Sequence, residues 1–344
     1  MKPNLKLFTI DEIEQEPVCW LWKPYIALGK ISLVQGDPGV GKSTAILALA
    51  ADVTTGRIFG ESDLLEPSSV IYQTAEDGYA DTVKPRLQRL GADCTRVHVI
   101  DESEYPLSLA DDRIEQAIIQ SGTKLFIADP LQGFCRGADI YNVNGMRPLL
   151  QRLGGVAERT GCAVVLISHL NKKGGQSQYR NLGSLDIYAA VRSVLTVGKL
   201  PLDESMRAVV HTKSNLTALG KSQAFGLDDN GGFCWLGDCD ITTDEILSGK
   251  PKQESQFAKA RRLLETKLAH GPVLAVEIMQ LADEEGISFK TFKRAKDALG
   301  VISFRRGGQW YWELPVDVVY EDAGQEVHNR QGVQATALVP LNCL

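Results

Sequence analysis

The stretch 36–43 reads GDPGVGKS and matches the phosphate-binding pattern GxxxxGK[ST]. Glycine adopts backbone conformations that let such a loop turn its N–H groups toward phosphate oxygens. Lys42 would bind the outer phosphates, and the hydroxyl of Ser43 would reach a Mg²⁺ ion. The following helix would present the positive end of its dipole to the same phosphates. The pattern predicts a nucleotide site whose binding residues are Gly36, Asp37, Pro38, Gly39, Val40, Gly41, Lys42, Ser43 and Thr44.

Asp129 ends the apolar stretch KLFIAD, about ninety residues after the loop. An aspartate at a strand tip beside a phosphate-binding loop is the usual second anchor for Mg²⁺, through the water shell of the ion. The other interpretation is a turn that stops the strand at Asp-Pro. Asp101 ends a weaker strand and is the alternative acid. Ser43 and Asp129 are therefore the predicted metal-binding residues.

Two further acids, Glu76 and Asp77, close the stretch VIYQTAEDG at positions 70–78. They either end a strand in a polar turn or place one carboxylate where a reaction occurs. Hydrolysis of a nucleoside triphosphate needs a water behind the γ-phosphate, and a fixed carboxylate can orient that water and accept its proton. Spacing alone does not choose between the two interpretations.

Short β-rich runs alternate with helix-period segments from Lys30 onward. Continuous apolar strands separated by helices indicate a parallel sheet that is covered on both faces. The later runs VRSVLTV, RAVVHTK and SQAFGLD are separated by turns, so they would extend the sheet with antiparallel strands. The fold class is therefore α/β, with phosphate-binding and acidic residues at strand ends. The predicted parallel strands cover 31–36, 70–75, 96–101, 124–129 and 162–168.

The last third of the chain has a different composition. Three helices and a glycine-turn hairpin follow the polar stretch KPKQES, which predicts a small winged helix-turn-helix. Residues 251–315 contain eleven Lys or Arg against eight Asp or Glu, a net charge of +3, so the remainder of the −6 chain carries −9. Docking of a protein is the alternative use of this module. Its predicted DNA-binding residues are Lys290, Lys293, Arg294, Lys296, Arg305 and Arg306.

The overall composition limits the classes of function. A net charge of −6 excludes a chain-wide basic surface, so any contact with nucleic acid must come from a local patch or channel. Seven scattered cysteines without a close CxxC pair favour reduced thiols. No signal peptide and no membrane-length apolar run is visible, so we expect a soluble cytoplasmic protein that does not contact a membrane.

An ordered set of motifs resembles the RecA-like P-loop ATPases, and most closely the plasmid RepA-type hexameric helicases among them. The resemblance covers about residues 20–229. The quoted stretches are GDPGVGKST, AEDG, LFIADPLQGF, VVLISHLNK and NLGSLDIYAAVRSVLTV. It implies ATP and Mg²⁺ as ligands and a homo-oligomer, most simply a hexameric ring. From the resemblance together with the composition of the last third of the chain, which lies outside the resemblance, we expect these divisions: an N-terminal segment packing on the core (1–28), a RecA-like ATPase domain (29–249), a linker (250–256), the winged helix (257–314) and a flexible tail (315–344).

The resemblance also implies roles for single residues. In these ATPases the catalytic base is a glutamate at the tip of the strand after the P-loop helix, which matches Glu76, with Asp77 as competitor. His169 matches the position that senses the γ-phosphate. Lys213 matches a cation that completes the site of a neighbouring subunit, although the second basic position is Asn215 here. Arg207 and Arg192 are alternatives for that cation.

The glycine-rich, basic loop 171–181 would contact single-stranded DNA in the channel of such a ring, or it is only a surface loop. Its candidate DNA-binding residues are Lys172, Lys173 and Arg180. The expected function is an ATP-hydrolysing DNA helicase or replication ATPase of a plasmid or phage, with a primase or initiator protein as a further partner. The alternatives are a regulatory ATPase that does not unwind DNA and a recombination mediator that forms filaments.

Overall fold

The structure is a computed structural model that describes residues 6–64, 66–135, 145–170, 185–201, 203–228, 232–251 and 255–315. The chain divides into two units, Met1–Lys252 and Gln253–Leu344. The division falls within the stretch that composition marks as a linker. Among the described residues, no helix is both long and apolar enough to cross a membrane.

The first unit alternates strands and helices along the chain. Its strands are β1 (Trp20–Trp22), β2 (Ile26–Ala27), β3 (Ile31–Gly36), β4 (Ser69–Thr74), β5 (Val97–His98), β6 (Thr123–Asp129), β7 (Ala163–His169), β8 (Ser193–Leu200), β9 (Asp203–Ser214), β10 (Ser222–Leu227) and β11 (Phe233–Cys239). Its α-helices are α1 (Lys42–Thr55), α2 (Lys84–Arg89), α3 (Asp112–Ser121), α4 (Arg147–Thr160), α5 (Leu185–Ala190) and α6 (Thr243–Ser248).

Nine of these strands form one sheet in the order β11-β10-β9-β8-β3-β7-β6-β4-β5. The six strands β8, β3, β7, β6, β4 and β5 are parallel to one another. At the other edge, β9, β10 and β11 add antiparallel pairs. The predicted α/β class, a mostly parallel sheet extended by antiparallel strands, is confirmed. The register places Gly36 opposite His169 and Thr74 opposite Asp129, so the carboxyl ends of four central strands lie at one edge.

Both faces of the sheet are buried, which explains why its central strands are continuous apolar runs. Val34 packs in a cluster with α1 residues such as Ile46 and Leu49 on one face. Leu33, its neighbour in sequence, packs with α4 residues such as Leu153 on the other face. Each such buried aliphatic side chain contributes about 1.5–3 kcal/mol, so the two helical layers fix the strands whose ends carry the polar residues.

Some elements differ from the sequence-based prediction. Strand β5 contains only Val97 and His98 instead of residues 96–101, because side chains bind the backbone beyond it. The Ile100 N–H donates to Gln73 Oε1 at 2.6 Å, and Arg113 donates to the carbonyl of Asp101. The hairpin β1–β2, the edge strand β11 and the helix α6 were not predicted. Residues 6–19 are exposed, whereas the tryptophans of β1 are buried.

The second unit contains three helices and a three-stranded antiparallel sheet. Its elements are α7 (Gln256–Leu268), β12 (Val273–Leu274), α8 (Ala275–Glu284), α9 (Phe289–Ala298), β13 (Ile302–Arg306) and β14 (Gln309–Glu313). The predicted helices and hairpin are present, and the unpredicted β12 pairs with β14 to give the order β12-β14-β13. Leu264, Ile278, Phe292 and Trp312 share its core. Glycines form the turn between β13 and β14, as the sequence predicts.

Candidate functional site

The phosphate-binding loop leaves β3 at Gly36 and enters α1 at Lys42. A Cβ at position 36 would lie 2.3 Å from the carbonyl oxygen of Val197, so only glycine fits where β3 passes β8. Gly41, the N-cap of α1, has φ of +93°, which a side chain would strain. The loop therefore has the backbone geometry that its sequence predicts. The first N–H groups of α1 have no partner inside the helix and point toward the loop, which favours an anion there.

Lys42 lies at the centre of the predicted site and is 3% exposed. Its Nζ donates to the carbonyls of Gly36 at 3.0 Å and Asp37 at 2.8 Å, and lies 3.2 Å from Nδ1 of His169. Burial lowers the pKa of Lys42, and the negative charges of Asp129, Asp37 and Glu76 partly oppose that shift. The structure therefore brings four predicted residues close enough to interact electrostatically. They are Lys42, His169, Glu76 and Asp129.

Asp129 is fixed at the end of β6. Its Oδ2 accepts a hydrogen bond from the hydroxyl of Tyr72 at 2.8 Å, and its backbone carbonyl accepts from the N–H of Ala75 at 3.0 Å. Burial, followed by the charge of Asp129, raises the pKa of Tyr72, so the phenol stays a donor. Hydroxyl and carboxylate oxygens are ligands that Mg²⁺ prefers, so Ser43 and Asp129 fit the predicted ion. Among the described residues, no group of three or more His, Cys, Asp or Glu side chains could hold a metal without phosphate oxygens.

The neighbouring acids Glu76 and Asp77 have different surroundings. The backbone N–H groups of both donate to Oγ1 of Thr74, at 3.3 and 3.1 Å, which forms the turn at the end of β4. The Asp77 carboxylate is 2.7 Å from Nη1 of Arg86, whereas Glu76 is exposed and acts electrostatically on both Lys42 and His169. The geometry therefore favours Glu76 over Asp77 as the group that faces a reacting water.

His169 ends β7 directly opposite Gly36 of the phosphate-binding loop. Its pKa is lowered, first by burial and then by the positive charge of Lys42, while Glu76 and Asp129 oppose the shift. A neutral imidazole beside the lysine can exchange hydrogen bonds with phosphate or water. Ser168, the preceding residue, accepts a hydrogen bond from Gln132, which follows Asp129 by three residues, so the ends of β6 and β7 are linked.

A cavity of about 230 Å³ lies beside the start of α1. Sequence reasoning missed it as a site, because α2, β9 and the β10–β11 turn meet there only in the folded chain. Its lining residues are Thr44, Arg86, Arg89, Leu90, Arg207, Leu227 and Asp228. A Cβ at Gly41 would lie 3.3 Å from Cδ of Arg207, so this arginine packs against its own loop. That position fits poorly with its predicted alternative role as a cation for a neighbouring subunit.

Lys213 lies toward the amino end of the sheet, because Ser214 pairs with Ser193, which pairs with Ser32 at the start of β3. Its Nζ donates to the carbonyls of Tyr188 and, at 3.0 Å, Val191, so it caps the end of α5. Burial lowers the pKa of Lys213, and the nearby charge of Arg192 lowers it further. Arg192 is exposed at the same end. The role predicted for Lys213 in a neighbouring site stays a prediction.

The predicted DNA contacts fall in two places. Lys172, Lys173 and Arg180 lie outside the described residues. In the second unit, Lys290, Lys293 and Arg306 are exposed, and Arg305 Nε donates to the carbonyl of Gly308. Arg294 packs over the ring of Phe257 at 5.6 Å. Lys296 packs over Trp312 at 4.2 Å and donates to Ser303, so burial lowers the pKa of this lysine.

Comparison with known proteins finds relatives among DNA repair proteins. The chain is 31% identical to the DNA repair protein RadA of Halalkalibacterium halodurans over 153 residues, which are 43% of this chain and 30% of that protein. It is 25% identical to RadA of Pseudomonas aeruginosa over 205 residues, which are 59% of this chain and 40% of that protein. The chain thus spans well under half the length of these curated relatives.

A solved structure, the KaiC-like protein PH0186 of Pyrococcus horikoshii, superimposes with a TM-score of 0.45 at 16% identity, over 64% of this chain and 99% of that one. The model of the AAA domain family matches residues 4–175, which include the phosphate-binding loop, Glu76, Asp129 and His169. This match covers half of the chain. The chain belongs to the AAA domain family.

Proposed function

We propose that this protein is an ATP-hydrolysing, RecA-like motor that forms a ring and acts on single-stranded DNA as a helicase or replication ATPase. The observation that carries the proposal is the convergence of Lys42, Glu76, Asp129 and His169 at the carboxyl ends of four neighbouring strands. Such a set supplies a phosphate ligand, a base, a metal anchor and a phosphate sensor to one substrate. The finer resemblance to plasmid RepA-type helicases supports the assignment to a plasmid or phage element.

In the proposed reaction, the loop 36–43 holds the phosphates of ATP through its N–H groups, and Lys42 exchanges its carbonyl partners for phosphate oxygens. Ser43 and Asp129 would hold Mg²⁺, which would supply positive charge to the phosphates when bound. Glu76 orients a water in line with the γ-phosphate and accepts its proton. His169 loses a hydrogen-bond partner when the γ-phosphate leaves, which changes the strand end that leads into residues 171–184.

The cavity beside Thr44 is the place for the nucleoside in this scheme. Thr44 is the residue after the metal-binding serine and lies next to the α-phosphate in such loops. Arg86, Arg89 and Arg207 line the space together with the apolar residues Leu90 and Leu227 and the acid Asp228. Arginine planes stack on nucleobases, so the set fits a base and its sugar.

A second copy of the chain would complete the proposed site. Arg192 and Lys213 lie toward the end of the sheet away from the phosphate-binding loop, so neither serves the loop of its own chain. In a head-to-tail ring this end faces the nucleotide of the next subunit. Arg192 is the better candidate, because Lys213 is already bound by carbonyls of α5. A closed ring of six copies and a cytoplasmic location complete the proposal.

DNA contacts are assigned to two parts of the chain in this proposal. The basic loop with Lys172, Lys173 and Arg180 would line the ring channel and hold one strand. The second unit has the element order of a winged helix, and its basic residues would hold DNA or a primase or initiator protein. The RadA relatives are named as DNA repair proteins, which favours a recombination mediator as the second candidate function.

The decisive experiment measures ATP turnover with and without single-stranded DNA, together with opening of a forked duplex. Stimulation by single strands and opening of the fork would support the helicase. Stimulation without fork opening would favour the recombination mediator, and turnover that DNA leaves unchanged would contradict both in favour of a regulatory ATPase. Mass in solution with ATP separates a closed ring from an open filament. Lys42→Ala is the inactive control in every assay.

A further inference from the structure

We infer that the β13–β14 hairpin of the second unit binds unpaired bases of single-stranded DNA by stacking them on Trp310. This tryptophan is 55% exposed, whereas Trp20, Trp22 and Trp312 are each less than 10% exposed. An indole so exposed contributes nothing comparable to core packing. The inference goes beyond the proposed function, because it assigns a binding role to a residue that neither the motifs nor the basic pattern singled out.

The register of the hairpin places a cation beside the exposed ring. Arg305 pairs directly with Trp310, and Ser303 pairs with Trp312 one step nearer the core. Directly opposed residues share a face of the sheet, so Arg305, Trp310 and Trp312 lie on one face. Lys296 of α9 reaches the same face, because its Nζ lies 4.2 Å from the Trp312 ring and donates to Ser303. The face therefore alternates cations and indole rings, of which only the Trp310 ring is exposed, because Trp312 is 8% exposed and lies under Lys296.

This alternation fits a strand of nucleic acid better than a protein helix or a duplex groove. A base has an aromatic face that stacks on an indole, and the phosphates on either side need cations about one nucleotide apart. The eleven basic and eight acidic residues of 251–315 give the unit a net positive charge, which favours a polyanion. Bases in a duplex are already stacked on each other, so an exposed indole selects unpaired bases.

The other side of the hairpin supplies a matched control. Ile302 pairs with Glu313 on the opposite face and is 44% exposed, so it is a similarly exposed apolar residue of the same sheet. Neither Trp310 nor Ile302 belongs to the buried core of the unit. Substitution of either should therefore leave the helices and the hairpin folded, which the melting temperature of the full chain checks.

The test uses the full-length chain without nucleotide and a single-stranded oligothymidylate that carries 5-iododeoxyuridine. Ultraviolet light should cross-link the iodo base to the peptide that contains Trp310, as mass spectrometry would show. Trp310→Ala should abolish this cross-link and weaken binding about tenfold, Trp310→Phe should retain part of both, and Ile302→Ala should retain all. Lys42→Ala should also cross-link normally, because Lys42 belongs to the first unit and the assay contains no nucleotide.

Three results would overturn the inference. The first is the absence of any cross-link to the hairpin peptide in the wild-type chain. The second is unchanged binding of the oligothymidylate by Trp310→Ala, which would indicate that the indole of Trp310 binds a protein partner instead. The third is equal competition by duplex DNA, or tighter binding of RNA of the same sequence. Failure of single-stranded DNA to stimulate ATP turnover, with the Trp310 cross-link intact, would instead count against the proposed motor alone.

Discussion

The two ends of the nine-stranded sheet each carry a lysine whose ammonium is bound by backbone carbonyls, but Lys42 is buried, Lys213 is only partly buried, and their surroundings differ. At the carboxyl end, the charges of Asp129, Asp37 and Glu76 act on Lys42. Toward the amino end, burial and the cation Arg192 lower the pKa of Lys213, with no carboxylate among the causes. A lysine among acids is suited to a metal–phosphate ligand, because the acids can serve the ion and the water. A lysine beside an arginine, without acids, is suited to meeting an anion from outside.

His169 and His211 also lie at different ends of the sheet and have different surroundings. His169 is half-buried beside Lys42, with a ring nitrogen within hydrogen-bond distance of its ammonium. His211, on β9, is 3% exposed, and its Nδ1 accepts from the N–H of Gly220, so its Nε2 carries the proton toward Ser193 Oγ at 3.1 Å. One imidazole can respond to a ligand, whereas the other holds a strand and a turn together. The comparison predicts opposite consequences for equivalent substitutions at the two ends.

The largest effect on ATP turnover is expected for Lys42→Ala. Lys213→Ala, at the other end of the sheet, is its matched control. Lys42→Ala should lower kcat/KM for ATP about 10⁴-fold, because both phosphate binding and stabilisation of the transition state are lost. Lys213→Ala should leave nucleotide affinity unchanged. A fluorescent ATP analogue measures the affinity, and released phosphate measures turnover. Equal loss of affinity in both variants would abolish the distinction between the ends.

The second largest effect distinguishes Glu76 from Asp77, the two adjacent carboxylates at the carboxyl end of the sheet. Glu76→Gln should lower kcat about 10³-fold with ATP affinity retained, because the amide cannot accept a proton from water. Asp77→Asn should lower kcat less than about tenfold, because its carboxylate is paired with Arg86 and the turn at Thr74 remains. Single-turnover hydrolysis and nucleotide affinity distinguish the two. A larger loss in Asp77→Asn than in Glu76→Gln would reverse the assignment of the base.

The third effect tests whether the amino end serves a neighbour. Arg192→Ala should lower kcat about 10²-fold, because a cation that stabilises the transition-state charge in the neighbouring site is lost. Mixing this variant with Glu76→Gln should restore part of the activity, since some interfaces then contain an intact base and an intact arginine. ATP turnover of mixtures at fixed total protein measures the effect. Activity equal to the weighted sum of the activities of the two separate variants would indicate that each chain works alone.

The sequence predicted which residues meet at the carboxyl end of the sheet, because each of them lies at the end of an apolar strand pattern. Gly36, Glu76, Asp129 and His169 each close or directly follow an apolar strand, and parallel strands place such ends together. The cavity residues were missed, because Arg89 and Asp228 meet only through the packing of α2 against the antiparallel edge. Such contacts depend on tertiary packing, which has no sequence period.

The surroundings of Lys213 were missed for a related reason. Its carbonyl partners belong to the end of α5, more than twenty residues away in sequence. The motif indicated a cation at this place but could not indicate that the cation is already bound. The same limit applies to Asp77, whose partner Arg86 comes from a helix that begins after a π-helical turn. Side-chain pairing across elements is set by the fold and not by the motif.

The smallest effect concerns stability and the pH at which His211 titrates. Burial lowers the pKa of His211 to about 4, well below the ordinary histidine value of 6.5 that applies in the unfolded chain. The unfolded state therefore binds the proton more tightly, so this contribution to stability is complete above about pH 6.5 and is lost as the pH falls toward 4. The loss is at most about 3 kcal/mol, by the linkage of 1.36 kcal/mol per pKa unit. Urea unfolding at pH 7 and at pH 4.5 measures it.

His211→Asn should flatten that dependence, because an amide keeps an acceptor for the Gly220 N–H and does not titrate. His169→Gln is the matched control, since this imidazole is only half-buried and its pKa is lowered in the same direction. It should keep the steep fall in stability below pH 6.5 and change ATP turnover instead. The opposite result would be a stability that no longer depends on pH in His169→Gln and still falls with pH in His211→Asn. His169 would then be the histidine that couples stability to pH, and the contrast between the two ends of the sheet would be wrong.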